Sequence, residues 1–164
     1  NVDATLLKGA LQTGEGINPC PSILIVGGEH SRRPAFDLDS QSRIERLVDH
    51  PYPGVRVRYC EKEGKTAWVL DEIGKTEPIT SGIIVNQGRV EQVRVLVFRE
   101  SRGSEVHREA FTRQYADAAL EPDDTLDRYI DGITGATMSV SALNRQVKLA
   151  LMLDEVVRGK SNDR

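Results

Sequence analysis

The chain has few of the residues from which most active sites are built. Its 164 residues include three histidines and two cysteines. His30, His50 and His107 are far apart, and none has a nucleophile and a carboxylate close by in sequence. Nothing therefore points to a Ser-His-Asp arrangement, and each histidine reads as a surface residue. Cys20 and Cys60 stand apart, without a CxxC pair, a haem-attachment CxxCH or a His/Cys cluster at metal-ligand spacing. They are either two partly buried thiols or, in an oxidising compartment, one disulfide. There is no P-loop and no GxGxxG. No apolar run reaches the roughly 18–20 residues of a membrane-spanning helix. The net charge is −3 and the pI about 5.7, with basic residues scattered and Arg32-Arg33 the one basic pair near the start. That balance argues against a nucleic-acid or anionic-membrane surface.

What remains is enough for one domain with a core: 38% of the residues are hydrophobic. Residues 1–52 read as an N-terminal segment or small lobe, irregular at first, with one apolar run at Ser22–Gly28. Asp39 or Ser40 is placed to cap a short helix carrying Ile44, Leu47 and Val48, which Pro51 and Pro53 end. From residue 53 the period changes to two. Val55, Val57 and Tyr59 alternate with Arg56, Arg58 and Cys60. Thr66–Asp71 follows with Trp68 and Leu70 on one face, then Ile79–Asn86, a compact turn at Asn86-Gln87-Gly88, and Arg89–Phe98. This succession predicts an antiparallel meander, and with the helices an α+β fold. Glu105–Ala119 fits a helix carrying Val106, Phe111 and Tyr115. A second, strong helix runs from Ser139 or Val140 to about Arg158, striped by Leu143, Val147, Ala150, Leu151 and Val157.

The chemistry concentrates just before that last helix, at Asp131-Gly132-Ile133-Thr134-Gly135-Ala136-Thr137. A helix start offers unpaired N–H groups and the positive end of the macrodipole, so it suits a phosphate. Gly135 and Ala136 let a ligand approach the backbone closely, and Thr137 presents a hydroxyl. On local physics alone, Thr134–Ser139 reads equally as an ordinary capping box, worth about 1 kcal/mol to the helix. A second small turn, Glu100-Ser101-Arg102-Gly103, stands where a long strand hands over to a helix. By itself it is a polar loop.

Together the two segments resemble the FMN-binding domain family, found in the flavin subunits of Rnf-type and sodium-translocating quinone reductase complexes and in regulators of the nitrous-oxide-reductase type. Every fixed position of the family's attachment motif, Asp-x-x-Ser/Thr-Gly-Ala-Thr, is met. In that family the last threonine carries FMN through a phosphodiester made by a flavin transferase, so the resemblance implies FMN on Thr137. It also implies cofactor contacts from Asp131, Thr134, Gly135, Ala136, Met138 and Ser139. It places Ser101 and Gly103 against the flavin, and makes Glu100 either a partner of a ribityl hydroxyl or a brace for its turn. Phe111 becomes a candidate ring neighbour, with a plain core role as the other reading. Asp131 serves recognition by the transferase, or braces the loop, or favours the helix dipole. Arg102 and Ser104 depart from the Pro and Leu of the quinone-reductase subunits.

The resemblance covers residues 55–155, and the domain is expected over 53–160. It implies an electron-transfer flavoprotein, an electron carrier or a subunit of a redox complex. Its expected partners are a flavin transferase and redox proteins such as membrane electron-transfer subunits or cytochromes, with no nucleic acid. Its expected place is extracytoplasmic, periplasmic or at the cell surface, anchored through a segment removed ahead of Asn1. Two alternatives stay open: a sensory or accessory module holding FMN noncovalently or not at all, and a flavin reductase, for which no substrate-site residues are found.

Overall fold

The computed structural model describes residues 22–26, 38–52 and 55–162. Expectations for residues 1–21, Gly27-Gly28, His30, Arg32-Arg33 and Pro53 lie outside the described residues. Among these residues five strands form one sheet in chain order: β1 (Ser22–Val26), β2 (Val55–Lys62), β3 (Lys65–Ile73), β4 (Pro78–Asn86) and β5 (Arg89–Val97). Every neighbouring pair is antiparallel. Two tight hairpins fix the register. Glu63-Gly64 has φ of 51° and 81°, and Gln87-Gly88 has 53° and 81°. Two successive left-handed residues match the twist of the strands they join. The meander expected from the alternating pattern is thus present.

Helix α1 (Leu38–Val48) packs on the long C-terminal helix α3 (Thr137–Asn162), and α3 lies on β3 and β4. One core joins them. Ile44, Leu47 and Val48 of α1 share it with Trp68, Ile83, Leu143 and Val147. Tyr59 stacks on Trp68 with ring centroids 4.7 Å apart. On the opposite sheet face Cys60, Ala67 and Ile84 form a smaller buried cluster. Cys60 is disulfide-bonded; Cys20, the chain's other cysteine, lies outside the described residues.

Buried polar groups set the direction of α3. Gln146 Nε2 donates to the carbonyls of Leu70 (3.1 Å) and Ile79 (2.7 Å), while its oxygen accepts from Ser81. Further along, Asp154 accepts from Thr66 at 2.7 Å and from Arg158 at 2.6 Å, and Trp68 donates to Thr66 at 2.8 Å. Each buried group is paired, as burial demands. The helix therefore runs back along β3 from Leu70 towards Thr66. Thr137, nine residues before Gln146, stands about 13 Å the other way along the axis, towards the β3–β4 turn.

One expected element differs. Glu105–Ala119 is not a single helix. It is a 3-10 turn (Ser104–His107), one α-turn, α2 (Glu109–Thr112), and a second 3-10 turn (Arg113–Tyr115). Arg108 breaks it, extended at φ −69°, ψ 138°. A continuous helix would set Val106 and Phe111 about 140° apart around its axis. The break lets both be buried, together with Tyr115. Helix α3 also starts at Thr137, ahead of the expected Ser139 or Val140. Among the described residues no helix is long and apolar enough to cross a membrane.

Candidate functional site

The segment leading into α3 is fixed at several points. Arg128 donates to the carbonyls of Ala116 (2.6 Å) and Asp117 (2.9 Å). Ile130 is buried in the core. The backbone of Asp131 is held on both sides by one residue, Gln114. Its N–H donates to Gln114 Oε1 at 2.8 Å, and its carbonyl accepts from Gln114 Nε2 at 3.4 Å. The Asp131 carboxylate stays exposed. A tight turn follows, closed by the Ala136 N–H donating to the Ile133 carbonyl at 2.9 Å. Gly135 takes φ +82° in it, a conformation that suits glycine.

The helix start is built without a cap. The Ala136 carbonyl accepts the first helical bond, from Val140 at 3.0 Å, so Ala136 holds the capping position. Alanine has no oxygen to offer the first-turn N–H groups. Among the described residues those of Thr137, Met138 and Ser139 find no acceptor, and no acid stands in the first turn. An alanine here costs about 1 kcal/mol relative to serine. The capping-box reading of Thr134–Ser139 is therefore not the arrangement found. What is found is an open helix end that attracts an anion, with the Thr137 side chain exposed beside it. Above Gly132 and Gly135 the space is clear to 4 Å. Thr134 is exposed, Ala136 and Ser139 are buried, and Met138 is 53% exposed.

The second motif meets the first. Gly103, at φ +88°, packs so closely that a Cβ added there would stand 3.1 Å from the Ala136 Cβ and 3.1 Å from the Ser139 Oγ. Ser101 and Arg102 are exposed on this turn. Glu100 turns the other way. Its Oε1 accepts the N–H groups of Lys75 (2.7 Å), Thr76 (2.7 Å) and Glu77 (2.8 Å), and its Oε2 accepts the Thr76 hydroxyl at 3.2 Å. The N–H groups of Glu77 and Thr76 hold its carboxyl below the usual range, against the opposing effect of burial, and Lys75 adds to them. The carboxylate thus ties the turn between β3 and β4 to the turn after β5.

Phe111 is 6% exposed and stands edge-on to Tyr115, ring centroids 5.9 Å apart. Tyr115 donates its hydroxyl to Asn144 of α3, and burial pushes its phenol pKa up.

Sequence reading missed three features. Gln114 had no signal, since a glutamine on an expected helix reads as solvated. The 74–77 turn has no signal of its own, because what it offers Glu100 is backbone N–H groups. His50 is exposed, as a surface residue should be, but its pairing at 2.7 Å with Glu72, a buried carboxylate that also accepts from Arg145 Nε at 3.2 Å, had no signal. These residues, with Tyr52, Asp71, Ile73 and Pro78, line a cavity of about 410 Å³. No group of three or more potential metal ligands occurs among the described residues.

The donor set around Thr137 suits a flavin phosphate: three free N–H groups, two threonine hydroxyls, open space over two glycines and no acid in the first turn. Comparison with known proteins agrees. No curated protein and no solved structure matches the chain. The family model of the FMN-binding domain matches residues 74–152, a span that holds the 74–77 turn, both motif segments and most of α3. Residues 74–152 thus match an FMN-binding domain, and the cofactor that this domain family implies is FMN.

Proposed function

We propose that the domain is an extracytoplasmic electron carrier, with FMN tethered through its phosphate to Thr137, relaying electrons between redox partner proteins. The observation that carries this reading is the uncapped start of α3: Ala136 in the capping position, three free N–H groups, and an exposed hydroxyl on the first helical residue. When bound, FMN supplies reversible electron transfer. The chain's own residues hold and orient. The helix start neutralises the phosphate charge, the Ser101–Gly103 turn lies against the anchor, and Gln114 fixes the approach at Asp131. The attachment involves no oxidation. An Oγ–P bond forms at Thr137, the leaving group on the phosphorus of an activated FMN donor departs, and the hydroxyl proton is released. A flavin transferase performs it, with Asp131 exposed for recognition.

A phosphodiester leaves the flavin ring untouched, so the bond is a tether. A tether is useful outside the cytoplasm, where a lost FMN is not replaced. The disulfide at Cys60 supports an oxidising compartment. Redox partners such as membrane electron-transfer subunits or cytochromes fit a carrier of this kind.

The test is to co-express the chain with a flavin transferase and denature the purified protein. Flavin fluorescence that stays with the unfolded chain, and is absent in Thr137→Ala, supports the tether. Flavin released on denaturation points instead to a noncovalent FMN module, which the open helix end also suits. For the relay, the reduced protein is mixed with an oxidised cytochrome, and electron transfer that depends on Thr137 is expected.

A further inference from the structure

Of the tyrosines, phenylalanines and tryptophan among the described residues, one is left in water. Tyr129 is 85% exposed, whereas Tyr52, Tyr59, Trp68, Phe111 and Tyr115 are all buried and Phe98 is half-buried. Exposure of a lone aromatic ring is ordinary on a loose loop. This ring is not on a loose loop. Arg128 before it is tied to two carbonyls, Ile130 after it is in the core, and Asp131 is clasped by Gln114 at both its N–H and its carbonyl. The backbone that presents Tyr129 is therefore fixed on both sides while its ring points outward.

The fold also says which way the flavin anchor faces. Thr137 and Asn144 are seven residues apart on α3 and so share a face, about 10 Å apart along the axis. Asn144 accepts the hydroxyl of Tyr115, and the neighbouring Gln114 holds Asp131. The face of α3 that carries Thr137 is thus the face turned to the Arg113–Tyr115 turn and the segment 128–131. Phe111, the ring neighbour expected from the resemblance, is packed edge-on to Tyr115 inside the core. Among the described residues Tyr129, in the segment that leads into Thr137, is the aromatic with an open face.

We propose that Tyr129 is the aromatic partner of the isoalloxazine ring, its phenol lying against the flavin held at Thr137. The proposal rests on the reading of Thr137 as the anchor. A flat, electron-poor ring system and a phenol favour offset stacking, and the contact would remove from water the most exposed aromatic described. Contact also has a signature. A photoexcited flavin takes an electron from a touching phenol and returns it, so both end unchanged and fluorescence is quenched. Tryptophan quenches in the same way, and phenylalanine does not.

The test uses the full chain loaded with FMN by a transferase, with loading verified by intact mass. The expected result is a several-fold longer flavin fluorescence lifetime in Tyr129→Leu and Tyr129→Phe, and a short one in Tyr129→Trp. A purely structural role would be rescued by phenylalanine. Nitration of Tyr129 by tetranitromethane should also be several-fold slower in the loaded protein than in Thr137→Ala. An unchanged lifetime in Tyr129→Leu, or equal nitration with and without flavin, overturns the stacking while the mass gain leaves the anchor standing. A wild-type chain that gains no mass overturns both.

Discussion

Gly103 and Ala136, 33 positions apart in sequence, come so close that a single added methyl carbon on Gly103 would meet the Ala136 Cβ at 3.1 Å. This contact joins the turn after β5 to the start of α3. It explains why both positions carry almost no side chain. Gly103 is constrained twice, by space and by its φ of +88°.

Gly103→Ala should therefore be costly. A non-glycine residue at this φ is strained by about 1–3 kcal/mol, before the clash is counted. Urea denaturation should show a loss of at least that size. FMN loading should fall as well, because the loop bearing Thr137 is pushed away. A variant as stable and as readily loaded as the wild type would mean that the two turns do not depend on each other.

Glu100 predicts an acid-side effect. Its folded pKa lies below the unfolded value of about 4.3, so its contribution is fully present above that value. The contribution is lost as pH falls through the folded pKa. Glu100→Gln should flatten this part of the stability profile below about pH 4.3. Glu100→Ala should also speed hydrogen exchange at the N–H groups of Lys75, Thr76 and Glu77. Unaltered exchange at those three sites would remove the brace from the account.

His50 predicts the opposite sign. Burial would lower its pKa, but hydrogen bonds to the Pro51 carbonyl (2.8 Å) and to Glu72 (2.7 Å) outweigh it and raise the value. Both ring nitrogens face acceptors, so the imidazolium is the form that satisfies them. Its contribution is complete below the unfolded value of about 6.5 and is lost as pH rises through the folded value. Thermal unfolding should show the wild type losing stability above about pH 6.5, and His50→Gln should flatten that slope. A profile identical in both proteins would contradict the pairing.

The sheet was legible because half-buried strands alternate, as Val57 and Tyr59 do against Arg58, and because Gln87-Gly88 marks a hairpin. The two motif segments were legible because small residues and hydroxyls cluster before a strong helix. The broken helix at 104–115 was not, since no glycine or proline inside that span marks the break at Arg108. Nor was the open cap. Whether Thr134, Ala136 or Ser139 takes the capping position depends on where the first helical bond closes, and composition does not decide that. The clasp of Gln114 on Asp131 and the nest of N–H groups around Glu100 are contacts across 17 and 23 or more residues. They follow from the fold and leave no local pattern.

The central claim concerns one hydroxyl, and intact mass tests it most directly. The chain should be produced with and without an active flavin transferase, as wild type and as Thr137→Ala. The wild type with transferase should gain the mass of one FMN less one water, mapped to the peptide holding Thr137, and the other three samples should gain nothing. No gain in the wild type beside an active transferase, or an equal gain in Thr137→Ala, would contradict the account.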